Sequence, residues 1–222
     1  MTDRLSIYNG ALLCCEERAL ASLTEVREPR YLLDTVWNNG GVQYCLEQGQ
    51  WRFAMRTTKQ TYDPDYDPAF GYRYAFPKPT DWVDTSAVCQ DEYFQVPLLQ
   101  YADEIGYWFA DQEDIYIKYV SNDASFGMDL ALWPMSFTRW VEYYFAGRIV
   151  GKLTGKEGLR ERLLGPVGRP DRGEVHAALT VAKNRDAMAG PTTFPARGSW
   201  ASARQGGRGY SRDGGNPGSL TG

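Results

Sequence analysis

Histidine occurs once in this chain, at position 176, and that limits the nucleophilic chemistry available. A Ser-His-Asp or Cys-His relay needs an imidazole to move the proton, so at most one such relay could exist. His176 stands beside the apolar stripe of a C-terminal helix with no motif around it, which points to a structural or surface role. The cysteines fall at 14, 15, 45 and 89. Adjacent Cys14 and Cys15 fit no zinc spacing and no CxxC pair occurs, so buried free thiols in a reducing compartment are expected. Asp63, Asp65 and Asp67 have the spacing that opens a calcium loop. The sixth position of that loop is Pro68 where the turn requires glycine, however, and the twelfth is Tyr74 rather than glutamate, so a solvated turn is expected. No GxxxxGK[ST] phosphate loop, GxGxxG after a strand, HExxH or GxSxG is present. One enzymatic route stays open: paired carboxylates can cleave glycosides, and Glu92, Asp103 and Glu104 stand close to aromatics that could stack on sugar. In an acid-rich segment that pattern has little specificity, and the chain is expected to hold no catalytic, cofactor or metal residues.

The elements that would carry such residues are implied by length, charge and periodicity. At 222 residues, 43% of them apolar, the chain is long enough for a substantial core. No basic start followed by a long apolar run marks a signal peptide. The most apolar helix candidate, "LWPMSFTRWVEYYFAGRIVGKL", is interrupted by Arg139, Glu142 and Arg148, which argues against a membrane span. A soluble, intracellularly made protein with no membrane partner is the expectation. The net charge of −4 conceals a strong asymmetry: residues 62–129 hold fourteen acids against three bases, whereas 130–189 and 190–222 are net positive. Segments of opposite sign face different partners, and the acidic middle repels nucleic acid.

Periodicity predicts an α+β protein: a helical bundle with an aromatic-rich β insertion and an extended C-terminal tail. The bundle would be formed by 1–49 and 131–189, the acidic insertion by 50–130, and the Gly/Arg-rich tail by 190–222. A first helix is expected from about Leu5 to Ala21 and a second from Pro29 to Gly49, the latter with Leu32, Leu33, Val36, Trp37 and Tyr44 on an apolar stripe. Gly40-Gly41 inside it suggests a kink or a close backbone approach. From Trp51 the pattern alternates, Trp51, Phe53 and Met55 against Arg52, Ala54 and Arg56, and "YRYAF" alternates again. "IGYWFADQEDIYIKYV" reads as a hairpin turning at Asp111 to Asp114, with Ile115, Ile117 and Tyr119 on one face. Of the 31 aromatics, 24 lie between Trp51 and Phe145, as a small sheet needs if it is to bury enough surface. A helix from Pro134 carries Phe137, Trp140, Val141, Tyr144 and Phe145 on a broad face suited to a bundle centre. A short helix spans Lys156 to Leu164, and a last one starts at Asp171, where Glu174 completes a capping-box variant.

The 33 residues from Gly190 hold nine glycines and three prolines, too little apolar surface to fold alone. Phe194, Trp200, Tyr210 and Leu220 nevertheless recur among arginines, a pattern suited to a segment that orders on a partner.

Together, "YNGALLCCEERALASLTEVREPRYLLDTVWNNGGVQYCLEQGQWRFAMRT", "GYRYAFPKPTDW" and "WPMSFTRWVEYYFAGRI" resemble the head-to-tail connector, or tail tubular protein A-like adaptor, family of short-tailed bacteriophages. The resemblance covers roughly 5–190, and its most telling part is the helix ending "CLEQGQWRFA", the aromatic strand and the "KPTDW" turn. It implies helical bundles with a β insertion, and assembly as a twelve-fold homo-oligomeric ring between the portal protein and the tail nozzle protein. The ring would be located in the virion after assembly in the host cytoplasm, with phage DNA passing through its centre. It implies no catalysis. Under this resemblance Asp63, Asp65, Asp67, Asp111, Glu113 and Asp114 are expected to line or rim the channel, where negative walls let DNA slide. Phe194, Trp200 and Tyr210, with Arg204 and Arg208, are expected to bind the portal. Trp51, Phe53 and Met55 are then core, with Arg52 and Arg56 facing outward or toward a neighbouring subunit, rather than a nucleic-acid platform. The competing readings are a tail-associated peptidoglycan glycosidase and a monomeric binding module acting through its C-terminal tail, with RNA binding by "RQGGRGYSR" as a variant of the latter.

Overall fold

The computed structural model describes residues 2–104 and 106–190. The expected portal anchors Phe194, Trp200, Arg204, Arg208 and Tyr210 lie outside the described residues. The fold is α+β, in the order three helices, six strands, three helices. These are α1 Arg4–Cys14, α2 Glu28–Asn38, α3 Gly41–Glu47, β1 Met55–Thr61, β2 Tyr74–Pro77, β3 Trp82–Cys89, β4 Ala102–Asp103, β5 Tyr107–Ala110, β6 Asp114–Ser121, α4 Met135–Leu153, α5 Glu157–Leu164 and α6 Glu174–Met188.

α4 is the central helix of the bundle. Phe137, Trp140, Val141, Phe145, Ile149 and Val150 are buried along it, and α1, α2, α5 and α6 all pack on it. α1 starts with a capping box that the sequence reading missed: the Asp3 carboxylate accepts from the Ser6 amide at 2.7 Å, and Ser6 Oγ accepts from the Asp3 amide at 2.9 Å. The helix stops at Cys14 rather than Ala21, just before Glu16 turns left-handed at φ +61°. α1 is tied to α2 by Asp34, which accepts from Arg4 at 2.7 Å, from the Tyr8 hydroxyl at 2.9 Å and from Arg30 at 2.7 Å.

The expected Pro29–Gly49 helix is two helices. Gly40, at φ +79°, breaks it, and a Cβ on Gly41 would meet the Val36 carbonyl oxygen at 2.6 Å. The glycine pair therefore supplies a left-handed joint and a close approach, which only residues without a Cβ permit. The capping box expected at Asp171 does not form. Residues Pro170–Arg172 make a single 3₁₀ turn, and extended Gly173 leads into α6 at Glu174.

The strands form two three-stranded antiparallel sheets, β1-β6-β3 and β2-β5-β4. This corrects the expected hairpin: β5 and β6 are consecutive but belong to different sheets, so the Asp111–Asp114 turn carries the chain between layers. Between the sheets lies a second core of Phe76, Val88, Leu98, Trp108, Ala110, Ile115, Ile117 and Tyr119. The expected face Ile115, Ile117, Tyr119 is thus buried, while Val120 on β6 joins the bundle core together with Val83.

The stretch from Trp51 is also corrected. Arg52–Ala54 is a 3₁₀ turn and the strand begins only at Met55. Residues three apart eclipse in such a turn, so Trp51 and Ala54 are both buried although alternation had put them on opposite faces. Trp51 donates its indole N–H to the Cys45 carbonyl at 3.1 Å and lies 4.8 Å from the Phe137 ring and 5.6 Å from Trp140. Phe53 and Met55 pack at the edge of the same core. No helix among the described residues is long and apolar enough to cross a membrane.

Candidate functional site

The residues of the "KPTDW" turn build a polar anchor rather than a reactive centre. Asp81, largely buried, accepts from Arg56 at 2.9 Å, from the Tyr119 hydroxyl at 3.2 Å and from the Ser121 hydroxyl. Burial alone would raise the Asp81 pKa, but the hydrogen bonds from Ser121 and Arg56 outweigh it and hold the carboxyl below its ordinary value. Arg56 is thus paired within the chain with its side chain 40% exposed, and Arg52 is exposed. Next to this, the Lys78 ammonium lies 3.7 Å from the centre of the Trp82 ring and pairs with Asp103. Asp103 also accepts from Thr85 at 2.7 Å and from the Trp108 indole at 3.2 Å.

Asp103 is thereby occupied as a structural acceptor. Neither of the two cavities described below is lined by Glu92, Asp103 or Glu104. Two carboxylates do share a cavity elsewhere, a space of about 360 Å³ between α1, α4, α5 and α6 lined by Glu142 and Glu174 with Arg139, Arg162, Cys14 and Tyr143. Glu142 presses on Gly10 of α1, and burial raises its pKa against the opposing pull of Arg139. The Cys14 thiol beside it is pushed up to about 11 by burial and by Glu142, so it is a poor nucleophile. Cys15, Cys45 and Cys89 are buried, and all four cysteines are free thiols. His176 is exposed on α6.

The six acids expected at a channel are divided by the structure. Asp65 and Asp67 are exposed in the turn after β1, and Asp63, half-buried, accepts from the Asp65 amide at 3.0 Å. Asp111 and Glu113 are exposed in the turn between the sheets, where Asp111 accepts from the Arg73 amide at 3.0 Å. Asp114 is neutralised by Lys59 at 2.8 Å, and that hydrogen bond lowers its pKa. The first loop also displays Phe70, 90% exposed, and Tyr66, which stacks on Tyr107 at 4.7 Å. An acidic loop with a phenyl ring in water has the character of an exposed apolar contact patch.

A second surface was not foreseen. Tyr44 and Tyr144, expected on the apolar faces of their helices, stack on each other at 5.0 Å, Tyr144 half-buried against the bundle core and Tyr44 45% exposed. They border a cavity of about 510 Å³ between α2, α3 and α4, floored by Leu32, Val36 and Ile149 and closed on one side by the Gly40–Gly41 joint. Arg148 and Lys152 project along its rim, exposed, with no ion-pair partner among the described residues. The signal for it was the spacing of Tyr144, Arg148 and Lys152, each one turn beyond the last on the outer side of α4.

No model of a known protein family matches the chain, and no curated protein matches it in sequence.

Proposed function

We propose that this protein is a structural virion component, an adaptor that assembles as a ring joining the portal to the tail nozzle of a short-tailed phage and forms part of the DNA channel. The observation that carries this reading is how the segments resembling the adaptor family pack. "CLEQGQWRFA" and "WPMSFTRWVEYYFAGRI" meet through Trp51, Phe137 and Trp140, and "KPTDW" clamps the neighbouring sheet through Asp81 and Lys78. The first two segments thus meet in the bundle core and the third fastens the strands of the insertion, and a rigid ring subunit needs both to hold its acidic face at a fixed height. In this role the protein acts without catalysis. Asp111 and Glu113 supply negative charge at the channel wall, the portal and nozzle are its protein partners, and Phe194, Trp200, Arg204, Arg208 and Tyr210 clasp the portal. The test is the mass of the purified chain mixed with portal rings of the same phage. A defined complex that is lost on deleting 190–222 is expected; a chain that ignores portal rings overturns the reading.

A second reading, hydrolysis of peptidoglycan, is favoured by one feature, the enclosed Glu142 with raised pKa beside Glu174. It requires Glu142→Gln to abolish clearing of a cell-wall suspension that the parent chain lyses.

A further inference from the structure

We infer that the cavity between α2, α3 and α4 receives the acidic loop 63–70 of a second copy of this chain. The cavity has an apolar floor of Leu32, Val36 and Ile149, an aromatic wall of stacked Tyr44 and Tyr144, and a cationic rim of Arg148 and Lys152. No acid lines it. Its ligand therefore carries an apolar or aromatic group flanked by carboxylates. The loop 63–70 has that chemistry: exposed Phe70, with Asp65 and Asp67 exposed just before it.

Phe70 is 90% exposed and belongs to neither apolar core, so seating its ring on the tyrosine wall removes apolar surface from water on both sides. Arg148 and Lys152 stand about 6 Å apart along α4, a spacing that suits carboxylates two residues apart in an extended loop. Every lining residue of the cavity comes from α2, α3, α4 or the joint between the first two, and none from 50–130. Among the described residues the loop 63–70 does not line the chain's own cavity, so the loop is taken from another copy.

Cavity and loop are different surfaces, so the contact is head-to-tail and propagates, closing into a ring if the rotation per subunit permits. The inference rests on the ring reading above and gives it a subunit contact. It also assigns Asp65 and Asp67 to that contact, leaving Asp111 and Glu113 to the channel wall.

The experiment is sedimentation of the full chain and two variants across a concentration series at low and high salt. The cavity variant carries Arg148→Glu and Lys152→Glu; the loop variant carries Asp65→Lys, Asp67→Lys and Phe70→Ser. All five side chains are exposed, and circular dichroism checks that both variants are folded. The parent chain is expected to associate, less so at high salt, while each variant alone stays monomeric. An equimolar mixture of the two variants is expected to form a one-to-one pair and nothing larger, since only the loop of one and the cavity of the other remain intact. A parent chain that stays monomeric throughout, variants that associate like the parent, or a mixture without pairs overturns the contact. Mixing with portal rings is read separately: association through this contact without portal binding sinks the adaptor reading alone, and portal binding with undiminished association of both variants sinks this contact alone.

Discussion

The bundle and the β insertion hold themselves together by different means. The bundle core around α4 is a mass of aromatic and aliphatic side chains, and two polar atoms within it are left without partners: Thr138 Oγ1 and Trp140 Nε1 are buried and unbonded among the described residues. The insertion also buries apolar side chains, but its layers are fastened by carboxylates, Asp81 on one sheet and Asp103 across to the other. Burial of apolar surface is indifferent to pH, whereas a carboxylate that accepts several hydrogen bonds is effective only while ionised. Apart from the Asp34 clamp between α1 and α2, the two halves should therefore fail under different insults: cavities undo the bundle core, and acid loosens the insertion.

The largest expected effect tests the bundle core. Trp51→Ala empties a site enclosed by Phe137 and Trp140, and such truncations cost about 3–5 kcal/mol. Urea unfolding should show a loss of that order, and a loss below about 1 kcal/mol would mean that the core closes around the vacated site. Next, Asp81→Asn leaves the Arg56 guanidinium and two hydroxyls without their charged acceptor, at a cost of about 1–3 kcal/mol. Because the Asp81 pKa lies below its ordinary value of 3.8, its contribution is fully present above that value and is lost as pH falls through the depressed one. Unfolding free energy measured down the acid range should fall more steeply in the parent than in Asp81→Asn, and parallel slopes would remove Asp81 as the acid-sensitive clamp.

Smaller effects sharpen the bundle side. Gly41→Ala forces a methyl against the Val36 carbonyl oxygen and should cost about 1–3 kcal/mol through overpacking. Gly40→Ala has open space around it and suffers only its left-handed backbone, at about 1–2 kcal/mol. Thermal melts that ranked the two the other way would move the constraint from packing to φ. Last, Thr138→Val replaces a buried unbonded hydroxyl with a methyl of similar shape and should stabilise by about 1 kcal/mol. If it destabilises, the hydroxyl has an acceptor in solution and the contrast between the two cores weakens.

What the sequence made legible follows the same division. Helix periodicity is local, so α4 was visible in the run from Phe137 to Phe145, and α5 within a residue of its observed start. The alternation of Ile115, Ile117 and Tyr119 likewise exposed the buried face of β6. Strand pairing is not local: nothing near Asp111–Asp114 states that β5 pairs with β2, more than thirty residues earlier, instead of with β6. The 3₁₀ turn at Arg52–Ala54 was hidden because three residues of alternation look the same in a strand and in a turn that eclipses every third side chain. The surfaces were legible only in part. The acidic loop announced itself by composition, but the cavity opposite depends on how Tyr44 of α3 meets Tyr144 of α4, a distance of one hundred residues that no spacing rule spans.

Placing the strands inside the bundle also has a consequence for synthesis. α1 packs directly on α4, yet residues 48–134 must be translated between α3 and α4. At roughly 5–20 residues per second on a ribosome, the first three helices wait several seconds with Leu12, Leu33 and Leu46 uncovered. The nascent chain thus carries uncovered apolar surface at a defined stage of elongation, and a pause placed by codon choice after residue 47 would lengthen that vulnerable interval without altering a single amino acid.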